Sequence, residues 1–244
     1  MLWRQLRPAD VIISGAGLPV KLPEYIGKAK TKIAPIVSSR RAADIILKMW
    51  ARRYDRTADF VVIEGPKAGG HLGFSDEELA DIENIDYDEE IKDIIECTKE
   101  YGEKYNTHIP VIVAGGIFDH DDIIHALELG ADGVQIASRF VATKECDASD
   151  EYKQAYLDAK EDDVKIIKSP VGMPGRAIHS SSAMPVFHAL SSTNSYMNWL
   201  TPKPSSVEPT PRRLSPPWAK ASSMRALTVW KLPDSLVLPP QLPR

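Results

Sequence analysis

Short apolar runs alternate with stretches of helical spacing along the first 180 residues, and nothing else in the chain constrains its fold as strongly. Strand, loop, helix, strand is the rhythm of a parallel sheet covered by helices. Five runs carry it: 10–14 (DVIIS), 32–38 (KIAPIVS), 60–64 (FVVIE), 110–114 (PVIVA) and 133–137 (GVQIA). The first has a buried-strand pattern and is followed by Gly15-Ala16-Gly17. After the second, Ser38 or Ser39 caps a helix that sets Ala42, Ala43, Ile45, Ile46, Met49 and Trp50 on one face. An acidic helix starts near Tyr87, with Ile91, Ile94, Ile95 and Thr98 turned inward. Asp88, Glu89 and Glu90 fill its first turn, where negative charge suits the positive end of the helix dipole. A short helix over 121–129 stops at Gly130, and a polar helix covers about 150–160. The ligand-like residues sit at the C-terminal ends of the strands, where α/β barrels and doubly wound sheets both place their sites.

Charge and cysteine content narrow the function classes. The chain of 244 residues has a net charge of −4, which argues against nucleic acid or an anionic membrane as partner. The charge is unevenly divided: residues 1–180 hold 23 Lys+Arg against 32 Asp+Glu, and residues 181–244 hold 7 against 2. No apolar stretch approaches the ~18 residues of a membrane span. Two cysteines, Cys97 and Cys146, show no zinc spacing and point to a reducing, cytoplasmic compartment. The last 64 residues hold 11 Pro, 11 Ser and no Gly, without sustained periodicity. Residues 181–244 are therefore expected to be an irregular or disordered tail, separate from a domain over 1–180.

Three loops carry candidate chemistry. The third apolar run enters a turn with Gly65, Gly69 and Gly70 that delivers His71. Glycines let main chain approach a flat or anionic ligand closely, and an imidazole titrating near ~6.5 can take a proton from a carbon acid. Alone, the segment reads equally as a tight left-handed turn exposing a histidine. Glu64, at the end of the same run, can hydrogen-bond a bound heterocycle or stand as a satisfied carboxylate at the strand end. Gly115-Gly116 follows the fourth run, and Gln135-Ile136-Ala137-Ser138 ends the fifth, 19 residues after Gly116. Two adjacent loops of this kind suit a phosphate cradle of main-chain N–H groups and a short helix N-terminus, with a hydroxyl from Ser138. Tight helix–strand packing without a ligand is the alternative. His108 precedes a strand at its far end, and His120 and His125 lie on a short helix, so each is a weaker candidate for the base than His71.

With these residues in view, the chain resembles the FMN-dependent nitronate monooxygenase family, formerly called 2-nitropropane dioxygenases. The motifs are ADFVVIEGPKAGGHLG, PVIVAGGIFDHDDIIHALELGADGVQIASRFVATKEC and SPVGMPGRAI, covering about residues 9–178. The resemblance implies an α/β fold: a TIM-type (β/α)8 barrel with FMN at its C-terminal face. His71 falls on the family's catalytic base, and Glu64, Gly69, Gly116, Gln135, Ile136, Ala137 and Ser138 fall on its cofactor contacts. Glu64 stands where glutamine is frequent, and Ala137-Ser138 where Gly-Thr is usual. The implied reaction is oxidation of an alkyl nitronate by O₂, with His71 removing the α-proton and the flavin accepting an electron. No metal is implied, and homo-oligomerisation is left open.

The same AGGH turn occurs in flavin-dependent enoyl-ACP reductases, so an FMN-dependent reductase using NAD(P)H is the second reading. The family's first three strands have no counterpart, since 11–14 matches its fourth, giving a partial barrel of about strands 4–8. The tail has the composition expected of translation in a shifted reading frame. Five strands of eight cannot close a barrel. A third reading follows: an inactive fragment that needs a partner to supply strands one to three.

Overall fold

Five parallel strands form where the apolar runs lie. The computed structural model describes residues 9–169, 172–178 and 227–230. Two compact units make up the chain. The first draws on Met1–Gly65, Asp86–Ile136 and Leu227–Arg244. Its strands are β1 (Val11–Ser14), β2 (Lys32–Val37) and β3 (Val61–Glu64) and, after the two-residue β4 (Gly70–His71) of the second unit, β5 (Val111–Ala114) and β6 (Gly133–Ile136). They lie side by side in the order β1-β2-β3-β5-β6. A doubly wound sheet reverses its order at a switch point, whereas sequential order is that of a barrel wall. This unit is therefore a partial TIM-type barrel.

Its helices are α1 (Leu22–Ile26) and α2 (Arg40–Tyr54) and, after α3 (Asp76–Ala80) of the second unit, α4 (Tyr87–Tyr105) and α5 (His120–Glu128). Pleating sends alternate residues to opposite faces. Val61, Ile63, Val111, Val113 and Val134 pack with Ile46, Leu47, Trp50 and Ile94 of α2 and α4. Ala34, Phe60, Val62, Ile112 and Ala114 form a separate cluster on the other face. The Ser39 side chain caps α2 by accepting from Ala42 N at 3.2 Å. The buried stripe of α2 is Ala43, Ile46, Leu47, Trp50 and Ala51, so the expected face is corrected at Ile45, which is exposed. Apolar residues on α2 exceed one stripe, and it is the sheet that selects which of them turn inward.

Carboxylates staple the N-terminal ends of the strands. Asp59 accepts from Ile33 N at 2.8 Å and pairs with Arg56 at 2.7 Å. Asp132 accepts from Val111 N at 2.9 Å and pairs with His108 at 2.8 Å. His108 is thereby a structural partner at the end of the sheet remote from the glycine loops.

The second unit draws on Pro66–Ile85 and Ala137–Ala226. Besides α3 it holds α6 (Ser138–Val141), α7 (Asp150–Asp158), β7 (Val164–Lys168) and β8 (Pro174–Ile178). An antiparallel sheet in the order β4-β8-β7 binds the histidine turn to the SPVGMPGRAI segment. Ala68, Leu72 and Leu79 form a small core beneath that turn. In the first unit, β9 (Leu227–Trp230) pairs antiparallel with β6, so a strand occurs within the stretch read as irregular. The rest of 181–244 lies outside the described residues.

Candidate active site

In the first unit, parallel register lines up three strand ends. Glu64 lies opposite Ala114, and Ala114 lies opposite Gln135. With strands about 4.8 Å apart, Glu64 and Gln135 stand roughly 10 Å from each other on one face. Ile136, one residue on, points to the opposite face and is buried in the helix-packed core. Its side chain therefore faces away from this row, by the two-residue period of a strand, and only its main chain faces a ligand placed there.

Beyond Ala114 the chain turns through Gly115 and Gly116, both left-handed at φ 88° and 87°. Glycine without a Cβ in this conformation lets a ligand approach the main chain closely. The following helix, α5, is already capped by its own acids. Asp119 accepts from Asp121 N and Asp122 N at 3.0 and 3.1 Å. Asp122 accepts from Phe118 N and Asp119 N at 2.8 and 3.1 Å. The Asp121 and Asp122 N–H groups at the start of α5 are therefore already satisfied within the chain.

Gly65 is required by packing. A Cβ there would come within 2.8 Å of Tyr87 Cε1 and 3.3 Å of the Gly115 carbonyl oxygen. The Tyr87 ring thus lies on the main chain immediately after Glu64. Glu64 is half-buried, without a hydrogen-bond or ion-pair partner among the described residues, and burial holds its carboxyl above the usual range. Burial also pushes the Tyr87 phenol up, helped by the charges of Glu64 and Glu90.

In the second unit, His71 is exposed and held by its main chain. It lies opposite Gly175, and Gly70 lies opposite Arg176. Leu72, 1% exposed, anchors the turn from below, and its N–H donates to the Pro174 carbonyl at 2.9 Å. Arg176 donates from Nη2 to the Pro66 carbonyl at 2.9 Å. A Cβ on Gly175 would come 3.1 Å from the Gly70 carbonyl oxygen, so glycine permits the pairing. Gly69 is different: its φ is outside the left-handed region, and a Cβ there would meet nothing within 4 Å. Neither backbone conformation nor packing within the chain requires glycine at 69, and a closely approaching ligand supplies a reason. Ala137 and Ser138 are exposed at the start of α6, whose N-cap has no side-chain hydrogen bond.

Sequence reasoning took Tyr87 only as the start of an acidic helix and left Gly175 and Arg176 without a role. A tyrosine near an acidic run gives no local signal of a distant glycine. The SPVGMPGRAI motif entered only as part of the family resemblance, without a role for these two residues. Cys97 is excluded as a nucleophile, because burial foremost pushes its thiol up to about 11. Among the described residues, no group of three or more His, Cys, Asp or Glu could hold a metal ion, and no helix is long and apolar enough to cross a membrane.

A family model described as "Nitronate monooxygenase" matches residues 3–191. A probable nitronate monooxygenase of Staphylococcus saprophyticus is 31% identical over 122 residues, which is 50% of this chain and 32% of that protein. The structure of FabK from Thermotoga maritima superposes with a TM-score of 0.55 at 26% identity, covering 78% of this chain and 52% of that one. Nitroalkane oxidase from Streptomyces ansochromogenes shares the fold, with a TM-score of 0.56 at 24% identity over 75% of this chain and 49% of its own. The matches span about half or less of those longer chains.

Proposed function

This chain belongs to the nitronate monooxygenase family, and from that premise we propose that it is an FMN-dependent oxidoreductase that oxidises alkyl nitronates with O₂. The observation that carries the reading is the exposed His71, fixed by main-chain pairing in a glycine turn whose Gly69 has no internal need to be glycine. As general base, His71 takes the α-proton of a neutral nitroalkane, which leaves the nitronate that is oxidised, and the β4–β8 pairing restricts where its imidazole can reach. Glu64, Gly69, Gly116, Gln135, the main chain of Ile136, Ala137 and Ser138 hold FMN in this reading. The Gly115–Gly116 turn lets a phosphate approach main chain closely, and Glu64 and Gln135 offer hydrogen bonds from one strand row. When bound, the flavin supplies the redox chemistry, and the protein supplies position and electrostatics. Both cysteines are free thiols, in keeping with a reducing, cytoplasmic setting.

The test is an FMN titration of the purified protein, followed by anaerobic reduction with an alkyl nitronate and re-oxidation by O₂. His71→Ala should lower turnover of the neutral nitroalkane about 10²–10⁴-fold and leave FMN affinity unchanged. Unaltered turnover would remove His71 as the base. Bleaching by NADPH without response to a nitronate would favour the enoyl-ACP reductase reading, and no FMN uptake would favour the partial barrel that needs partner strands.

A further inference from the structure

Arg176 touches both ends of the turn that leads to His71. Its main chain lies opposite Gly70 in the β4–β8 ladder, and its Nη2 donates to the Pro66 carbonyl at 2.9 Å. Between those points Lys67, Gly69 and Gly70 are exposed, and Gly70 is left-handed at φ 81°. Glycine adds conformational freedom, so such a turn depends on outside contacts for a fixed shape. Residues directly opposite in an antiparallel pair share a face. The Arg176 side chain therefore leaves the ladder on the face of Gly70, while His71 shares the other face with Gly175. The guanidinium works from behind the turn, not on the imidazole itself.

Strand packing does not account for a charge at this position. Among the described residues no carboxylate pairs with Arg176, and its Nε is buried without a hydrogen-bond partner. Burial disfavours the guanidinium charge, and a cation in that setting costs more than an apolar side chain. What the charge gains is the Pro66 carbonyl, through a hydrogen bond from a charged donor. We propose that Arg176 is a positioning residue: by joining Pro66 to the strand opposite Gly70, it fixes the turn from which His71 acts as base. Proton transfer needs the imidazole within hydrogen-bond reach of the substrate carbon, so a loosened turn slows it without altering its chemistry.

The role in proton removal rests on the reading of His71 as base; the brace on the turn does not. Arg176→Met removes the donor and keeps the aliphatic stem, and Arg176→Lys keeps a cationic donor. In protein without ligand, amide hydrogen exchange over 69–72 should quicken about 10- to 100-fold in Arg176→Met, the span of a hydrogen bond from a charged donor. It should stay near wild type in Arg176→Lys, and exchange in α4 should be the same in all three. Unchanged exchange at the turn in Arg176→Met would overturn the brace, whether or not FMN binds. With FMN bound, kcat for a neutral nitroalkane should fall about tenfold or more in Arg176→Met with little change in KM, and recover in part in Arg176→Lys. Turnover of the same compound supplied as its preformed nitronate, which needs no proton removed, should fall far less. Equal losses on both substrates, or a quickened turn with full nitroalkane turnover, would overturn the positioning role. Absence of FMN uptake in the wild type would sink the flavin reading and the catalytic role with it, while hydrogen exchange still decides the brace. Should Arg176→Met not fold, the shorter and uncharged Arg176→Gln carries the same comparisons.

Discussion

Three glycines in the site region are glycine for different reasons, and substitution separates them. Gly65 is held by the Tyr87 ring and the Gly115 carbonyl, so Gly65→Ala must displace one of them. We expect a loss of about 1–3 kcal/mol, the usual cost of overpacking, read as a lower urea midpoint. Gly175 faces the Gly70 carbonyl at 3.1 Å. Gly175→Ala should loosen β4 and reduce turnover through His71 more than it reduces stability; an unaltered rate would show that the pairing does not aim the histidine. Gly69 has open space and no left-handed φ. Gly69→Ala should leave the unfolding midpoint unchanged or raise it slightly, by up to about 1 kcal/mol, since alanine restricts the unfolded chain. FMN affinity should nevertheless drop, and undiminished affinity would mean that no ligand approaches main chain there.

At the scale of elements, α5 shows how a short helix can be secured by its own sequence. Asp119 and Asp122 form a reciprocal capping box, and N–H groups of Asp119 and then Phe118 hold the Asp122 carboxyl below its usual range. A carboxyl with a depressed folded titration contributes fully above the ordinary carboxylate range. That contribution is lost as pH falls through the folded value. Asp122→Ala should lower the urea midpoint at neutral pH, and the deficit should shrink in acid, where the wild-type Asp122 carboxyl is itself protonated. Urea midpoints measured at neutral and acid pH check both points. By contrast, β4 has two residues and no period of its own, and it exists only because β8 lies beside it.

On the scale of the whole molecule, β1 is an edge: among the described residues it pairs only with β2. Val11 and Ile13 are 43% and 38% exposed there, an apolar edge of the sort that pairs with other chains. Ile13→Lys should lower concentration-dependent association in light scattering while shifting stability by no more than about 0.5 kcal/mol. The five parallel strands and the helices at 42–50, near Tyr87, over 121–129 and around 150–160 were legible in the sequence, because their periods are local properties of the chain. The turn carrying His71 was legible too, since glycine marks turns directly in the sequence. The rotation of α2, the outward turn of Ile136 and the seat of Tyr87 on Gly65 were not, because each depends on what a neighbouring element presents. Sequence by itself determined the strand–loop–helix order and the residue types at each strand end. Only the tertiary structure decided which of them meet: the clamp on His71 comes from a segment 110 residues beyond Pro66, and such pairing depends on contacts between distant surfaces, which no local pattern encodes.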